Sequence, residues 1–139
     1  MQVEVFLDAA YAIALSAPSD QLHIRAVALA QQLEAAQTHL VTTQAVMLEI
    51  GNTLSKKRYR AAAVELLCSL EADPSVVIVP FSPGLYTEAF DLYRSRLDKE
   101  WGLIDCASFV IMKARGITDA LTADEHFEQA GFRALLRLP

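Results

Sequence analysis

Apolar positions along the chain fall into short β-branched runs separated by longer stretches with helical spacing. Residues 3–7 (VEVFL) are β-branched and aromatic and predict a strand, and residues 9–16 predict a short helix closed by Ala17-Pro18. Within residues 21–36, Leu22, Ala26, Leu29, Ala30 and Leu33 recur at helical spacing. A second short strand is expected at residues 40–42 and a helix at 44–55. Residues 60–72 put Val64, Leu67 and Leu70 on one stripe, and the clearest strand is VVIVP at 76–80. Residues 83–98 and 103–115 read as helices, the second apolar nearly all round and therefore central. Strands at 120–122, after Gly116, and at 134–138 complete the series. Strands alternating with helices predict an α/β fold whose central, mostly parallel sheet carries helices on both faces.

Composition sharpens this picture. With 139 residues, 53% of them hydrophobic, the chain is expected to form one domain over residues 1–139. Cys68 and Cys106 are too few for a disulfide framework or a four-ligand zinc site, which points to a reducing compartment. The N-terminus has no basic segment before an apolar stretch. The longest apolar run, 103–112, is broken by Asp105 and is half of what a bilayer requires. A soluble, cytoplasmic protein with no membrane association is expected. The net charge of −5 argues against gripping nucleic acid by bulk electrostatics. The two basic groups, Lys56-Lys57-Arg58-Tyr59-Arg60 and Arg94, Arg96 and Lys99, read first as solvated helix surface.

In open α/β sheets the site lies outside the carboxyl ends of the strands. Asp8 directly follows the first strand and Asp124 stands just beyond Thr122, which places both on one rim. Glu49 lies in the second turn of the helix leaving the second strand, and Asp105 in the first turn of the apolar helix. Each acid has an ordinary alternative. Asp8 and Asp124 suit helix N-caps, Thr122–Glu125 fits a capping box in another register, Asp105 suits a helix N-terminus, and Glu49 suits solvent. What those roles leave unexplained is four acids at one edge with no assigned cation. Carboxylates at close quarters either protonate or enclose a divalent ion, and an oxygen set without His or Cys suits Mg²⁺ or Mn²⁺. Other acidic α/β enzymes fit less well. An aspartyl-nucleophile phosphatase wants a second acid where Ala10 stands, and a receiver domain wants paired acids at the first strand. His23, His39 and His126 have no zinc-ligand spacing, and Cys106 and Trp101 read as core. Asp98 reads as a surface ion-pair partner, and Asp119, at the far end of its strand, lies roughly 15 Å from the rim.

Phe6-Leu7-Asp8, Glu49, Trp101-Gly102-Leu103-Ile104-Asp105-Cys106 and Leu121-Thr122-Ala123-Asp124-Glu125-His126-Phe127, in this order and spacing, resemble the PIN domain, in particular small bacterial VapC-type toxins. The likeness runs over residues 5–132. It implies a three-layer PIN-like fold and a metal-dependent endoribonuclease in which Asp8, Glu49, Asp105 and Asp124 match the acidic quartet that holds Mg²⁺ or Mn²⁺. It also implies cleavage leaving 5′-phosphate and 3′-hydroxyl ends, an RNA substrate, a homodimer, and a small antitoxin presenting a basic side chain to the acids. Two stretches depart from the pattern. Ala9-Ala10 and Gly102-Leu103-Ile104 stand where many relatives carry hydroxyls, leaving Thr43 and Thr122 as polar support. In the final motif, Phe127 is expected to pack inward and His126 to expose its ring. The rival reading is a PIN-fold binding or assembly module with little activity.

Overall fold

The computed structural model describes residues 3–137. Its elements, in chain order, are β1 (Glu4–Leu7), α1 (Ala9–Ser16), α2 (His23–Ala35), β2 (His39–Thr43), α3 (Gln44–Thr53), α4 (Lys57–Ala72), β3 (Val76–Val79), α5 (Pro83–Ser95), α6 (Leu103–Arg115), β4 (Asp119–Leu121), α7 (Glu125–Gln129) and β5 (Arg133–Ala134). The five strands form one parallel sheet in the order β3-β2-β1-β4-β5.

That order places the site. Right-handed crossovers send the β1–β2–β3 connections over one face and those leading to β4 and β5 over the other. Accordingly α1 packs on α2, α3 and α4, whereas α6 packs on α5 and α7. The winding reverses between β1 and β4, and a crevice opens there at the carboxyl ends of the strands. The register sets the neighbours in that crevice: Leu7 pairs with Leu121, so Asp8 and Thr122, one residue further on, lie side by side.

Burial on both faces explains the apolar central strands. Val5, Phe6 and Leu7 of β1 and Ala120 and Leu121 of β4 are buried throughout, while β3, at the sheet edge, is half-buried. Under α6 and α7 the core is aromatic. Phe127 meets Phe109 edge-on at 4.9 Å between ring centroids, and Phe109 meets Trp101 at 5.1 Å. Trp101 is buried as expected, its indole N–H donating to Gln129 Oε1. Helix α6 ends on Gly116, whose φ of 68° belongs to the left-handed region that a side chain disfavours; the next amide, Ile117 N–H, closes the helix on Met112 O.

One expectation is corrected. The strand anticipated at 134–138 is the two-residue β5, Arg133–Ala134, followed by a turn, with Leu138 outside the described residues. Helix α7 starts where Asp124 was offered as an N-cap, but its five residues carry too little periodicity to read as a helix. Elsewhere the boundaries move by a few residues: α4 begins at Lys57, so the basic run heads a helix, and α5 ends at Ser95.

Candidate active site

Asp8 stands at the N-cap position of α1, yet its side chain makes no capping bond. Only 8% exposed, it is turned into the crevice, where Thr122 Oγ1 donates to Oδ2 at 2.7 Å. The same Thr122 oxygen accepts from the Asp124 amide at 3.1 Å. One fully buried hydroxyl therefore ties together the ends of β1 and β4. Thr42 reinforces the joint from β2, donating to the Leu7 carbonyl at 2.8 Å. Thr43, the other threonine expected to support the acids, instead caps α3 by accepting from Val46 N–H.

Asp124 is the N-cap of α7, its Oδ1 accepting from His126 N–H at 2.9 Å. The capping box in the alternative register does not form. Asp105, third residue of α6, accepts from Gly102 N–H at 3.1 Å, a brace on the helix start that needs no N-cap side chain. Glu49 is half-buried on α3, which touches α6 directly.

Among the predicted acids the structure brings the ligand atoms of Asp105 and Asp124 close together, with His126, while Asp8 and Glu49 stand further off and sense their charges. Burial pushes the Asp8 carboxyl up to about 6; the Thr122 bond and the Ala9 amide offset part of that, and the charges of Asp105 and Asp124 add to it. Glu49 rises to about 7, again chiefly through burial, then through Asp8, Asp105 and Asp124. No lysine or arginine pairs with any of the four among the described residues; the one basic ring beside them is His126. The expectation that His126 exposes its imidazole is corrected. Nδ1 lies 3.2 Å from Asp105 Oδ2 and 3.3 Å from Asp124 Oδ1, while Phe127 packs inward as anticipated.

These shifts set a pH dependence. Because folding raises both pKa values, the folded chain keeps protons that the unfolded chain has already released. Their stabilising contribution is complete below the ordinary carboxyl range and is lost as pH rises through about 6 and then about 7. Asp98, held down to about 2 by Arg96, acts in the opposite sense only at more acid pH. Without metal, calorimetry should therefore show a melting temperature lower at pH 8 than at pH 5 by roughly 5 °C, for about 2 kcal/mol. A flat profile would contradict the coupling.

Other groups singled out in the sequence lie outside this cluster. The Cys106 thiol is buried and pushed up to about 11, first by burial and then by Asp105, which makes it a poor nucleophile. Arg94 pairs with Asp91, and Arg96 and Lys99 with Asp98, so this basic group is largely neutralised. Arg96 also covers the Trp101 ring at 5.1 Å. Asp119 faces Arg133 at the start of β4. Lys56, Lys57, Arg58 and Arg60 have no acidic partner among the described residues. No described helix is long and apolar enough to cross a membrane.

Comparison with known proteins agrees with this architecture. The 23S rRNA-specific endonuclease VapC20 of Mycobacterium tuberculosis, from strains CDC 1551/Oshkosh and ATCC 25618/H37Rv, is 25% identical over 128 residues, spanning 92% of this chain and 95% of the relative. The crystal structure of M. tuberculosis VapC20, a sarcin-ricin loop cleaving toxin, superposes with a TM-score of 0.79 at 24% identity, covering 92% of this chain and 95% of that one. The family model for the PIN domain matches residues 5–133. The chain belongs to the PIN-domain family.

Proposed function

We propose that this protein is a divalent-metal-dependent endoribonuclease in which Asp8, Glu49, Asp105 and Asp124 hold Mg²⁺ or Mn²⁺. The observation that carries this reading is that the pKa values of Asp8 and Glu49 are raised by burial and then by the charges of Asp105 and Asp124, with no lysine or arginine paired to any of the four among the described residues. Such a set is poorly stable as bare anions near neutral pH, and its oxygen donors suit a hard divalent cation. When bound, that cation supplies neutralisation of the scissile phosphate and acidification of a bound water. Thr122 fixes the Asp8 carboxylate, and the Gly102 and His126 amides fix Asp105 and Asp124, so the acids are held before substrate arrives. Glu49 has no hydrogen-bond partner among the described residues, which leaves its carboxylate free to serve the ion.

RNA is the substrate this arrangement fits. The unpaired basic run heads α4 immediately after α3, whose last turn lies only about 6 Å along the axis from Glu49. It offers phosphate contacts beside an otherwise acidic crevice. The VapC-like resemblance favours the toxin of a toxin–antitoxin pair, with a small antitoxin placing a basic side chain among the acids. In a homodimer, the exposed aromatic row of Phe81, just before α5, and Tyr86, Phe90 and Tyr93 on it offers an apolar surface for the partner copy.

The test is incubation with a structured RNA pool that includes 23S rRNA. With Mn²⁺ or Mg²⁺, discrete products with 5′-phosphate and 3′-hydroxyl ends are expected, and none with a chelator. No cleavage with either metal would favour the binding or assembly module. A milder perturbation is Thr122→Val, which keeps the volume but removes the hydroxyl shared by Asp8 and the Asp124 amide. It should lower stability by about 1–2 kcal/mol in denaturant titration and activity by roughly ten- to a hundred-fold.

A further inference from the structure

Beyond the acidic quartet, we infer that His126 is a nitrogen ligand of the same metal site and tilts it toward Mn²⁺ over Mg²⁺; this rests on the metal-site reading above. Two carboxylate oxygens converge on one ring atom: Asp105 Oδ2 and Asp124 Oδ1 lie 3.2 and 3.3 Å from His126 Nδ1. Each oxygen already holds a backbone N–H, from Gly102 and from His126 itself, so neither carboxylate is free to swing away. At these separations one cation with bonds of about 2.1–2.3 Å can touch Nδ1 together with either carboxylate oxygen.

Without an ion, an Nδ1–H can be shared between the two oxygens as a long, bifurcated hydrogen bond. Both separations exceed the roughly 2.7–2.9 Å of a direct charge-assisted N–H···O bond, which leaves room for a cation to take that proton's place. With the proton on Nε2, the Nδ1 lone pair is available to an ion held between the ring and the two carboxylates. The ring is half-buried beside Asp124 on α7, whose first turn is anchored by Phe127, so its position is set by the core. One nitrogen among oxygens changes selectivity: Mg²⁺ keeps to oxygen and water, whereas first-row cations accept imidazole.

The experiment is Mn²⁺ titration of the full chain followed by electron paramagnetic resonance, with pulsed detection of ¹⁴N coupling to the bound ion. Wild type should show directly coordinated nitrogen. His126→Ala should lose that coupling and bind Mn²⁺ at least about ten-fold more weakly, while Mg²⁺ affinity, read by competition, changes by less than about three-fold. His126→Gln, which returns an oxygen donor of similar size, should narrow the difference between the two metals. Equal Mn²⁺ affinity in wild type and His126→Ala, with no ¹⁴N coupling in either, would overturn the inference and leave the imidazole outside the coordination sphere. Asp8→Asn separates this from failure of the underlying reading. It should weaken Mn²⁺ binding yet keep the ¹⁴N coupling at saturation, whereas no Mn²⁺ binding to wild type would remove the metal site altogether.

Discussion

Asp8→Asn should reduce metal-dependent RNA cleavage by about a thousand-fold while making the metal-free protein more stable. The two effects have one cause. Asp8 is buried at the join of β1 and β4, and burial is what drives its carboxyl up to about 6. The amide is nearly isosteric and still offers Oδ1 to the Thr122 hydroxyl, so the joint survives. It carries no charge to desolvate and none to repel Asp105 and Asp124, so the folded state gains at neutral pH. A metal-dependent reaction loses what the folded state gains. Removing an anionic ligand forfeits several kcal/mol of charge stabilisation, and about 1.4 kcal/mol corresponds to each decade of rate. Single-turnover cleavage and calorimetry on the same preparation check both halves. Activity within ten-fold of wild type would place the chemistry elsewhere.

The largest stability effect is expected from Phe127→Ala, at about 3–5 kcal/mol. Phe127 is fully buried, edge-on to Phe109 at 4.9 Å and 6.3 Å from Phe6, and it anchors a helix of only five residues. An isolated helix that short does not hold itself together. Its order comes from this ring, from the Asp124 cap and from the Trp101–Gln129 hydrogen bond. Truncating the ring therefore takes away a large part of a typical 5–15 kcal/mol of folding stability and releases Asp124 and His126 from the crevice. Denaturant unfolding gives the stability change, and Mn²⁺ binding to the surviving folded fraction reports the site. A loss below 1 kcal/mol would mean that α7 is held by something other than its aromatic anchor.

The sequence carried the fold wherever a period was long enough to read. The apolar runs around Val5 and Val77 read as strands and the near-continuous apolar face of α6 as a central helix, although the Val77 run forms β3 at the sheet edge and only the Val5 run is central. Segments whose structure is set by partners were less legible. The strand β5 is two residues borrowed onto the edge of β4, and α7 is a single capped turn and a half. For the acids, position at strand ends was enough to bring Asp8 and Asp124 to one rim. The arrival of Glu49 and Asp105 depends on how α3 and α6 lean together, which no local pattern encodes. The threonines show the limit clearly. Thr43 and Thr122 look equivalent in sequence, yet one caps α3 and the other holds Asp8, because only the β1–β4 register puts a hydroxyl beside that carboxylate. His126 was misread for a related reason. The one local signal, a ring two residues beyond an N-cap aspartate, brings it near Asp124, but its approach to Asp105 is made across 21 residues of chain.

The most direct test of the central claim is to measure RNA cleavage rate and Mn²⁺ occupancy in one titration on the same protein. If the carboxylates of Asp8, Glu49, Asp105 and Asp124 act through a bound cation, cleavage rises along the binding curve, saturates with it, and vanishes on chelation. Cleavage that persists in chelator, or a fully occupied metal site with no cleavage, would contradict the account.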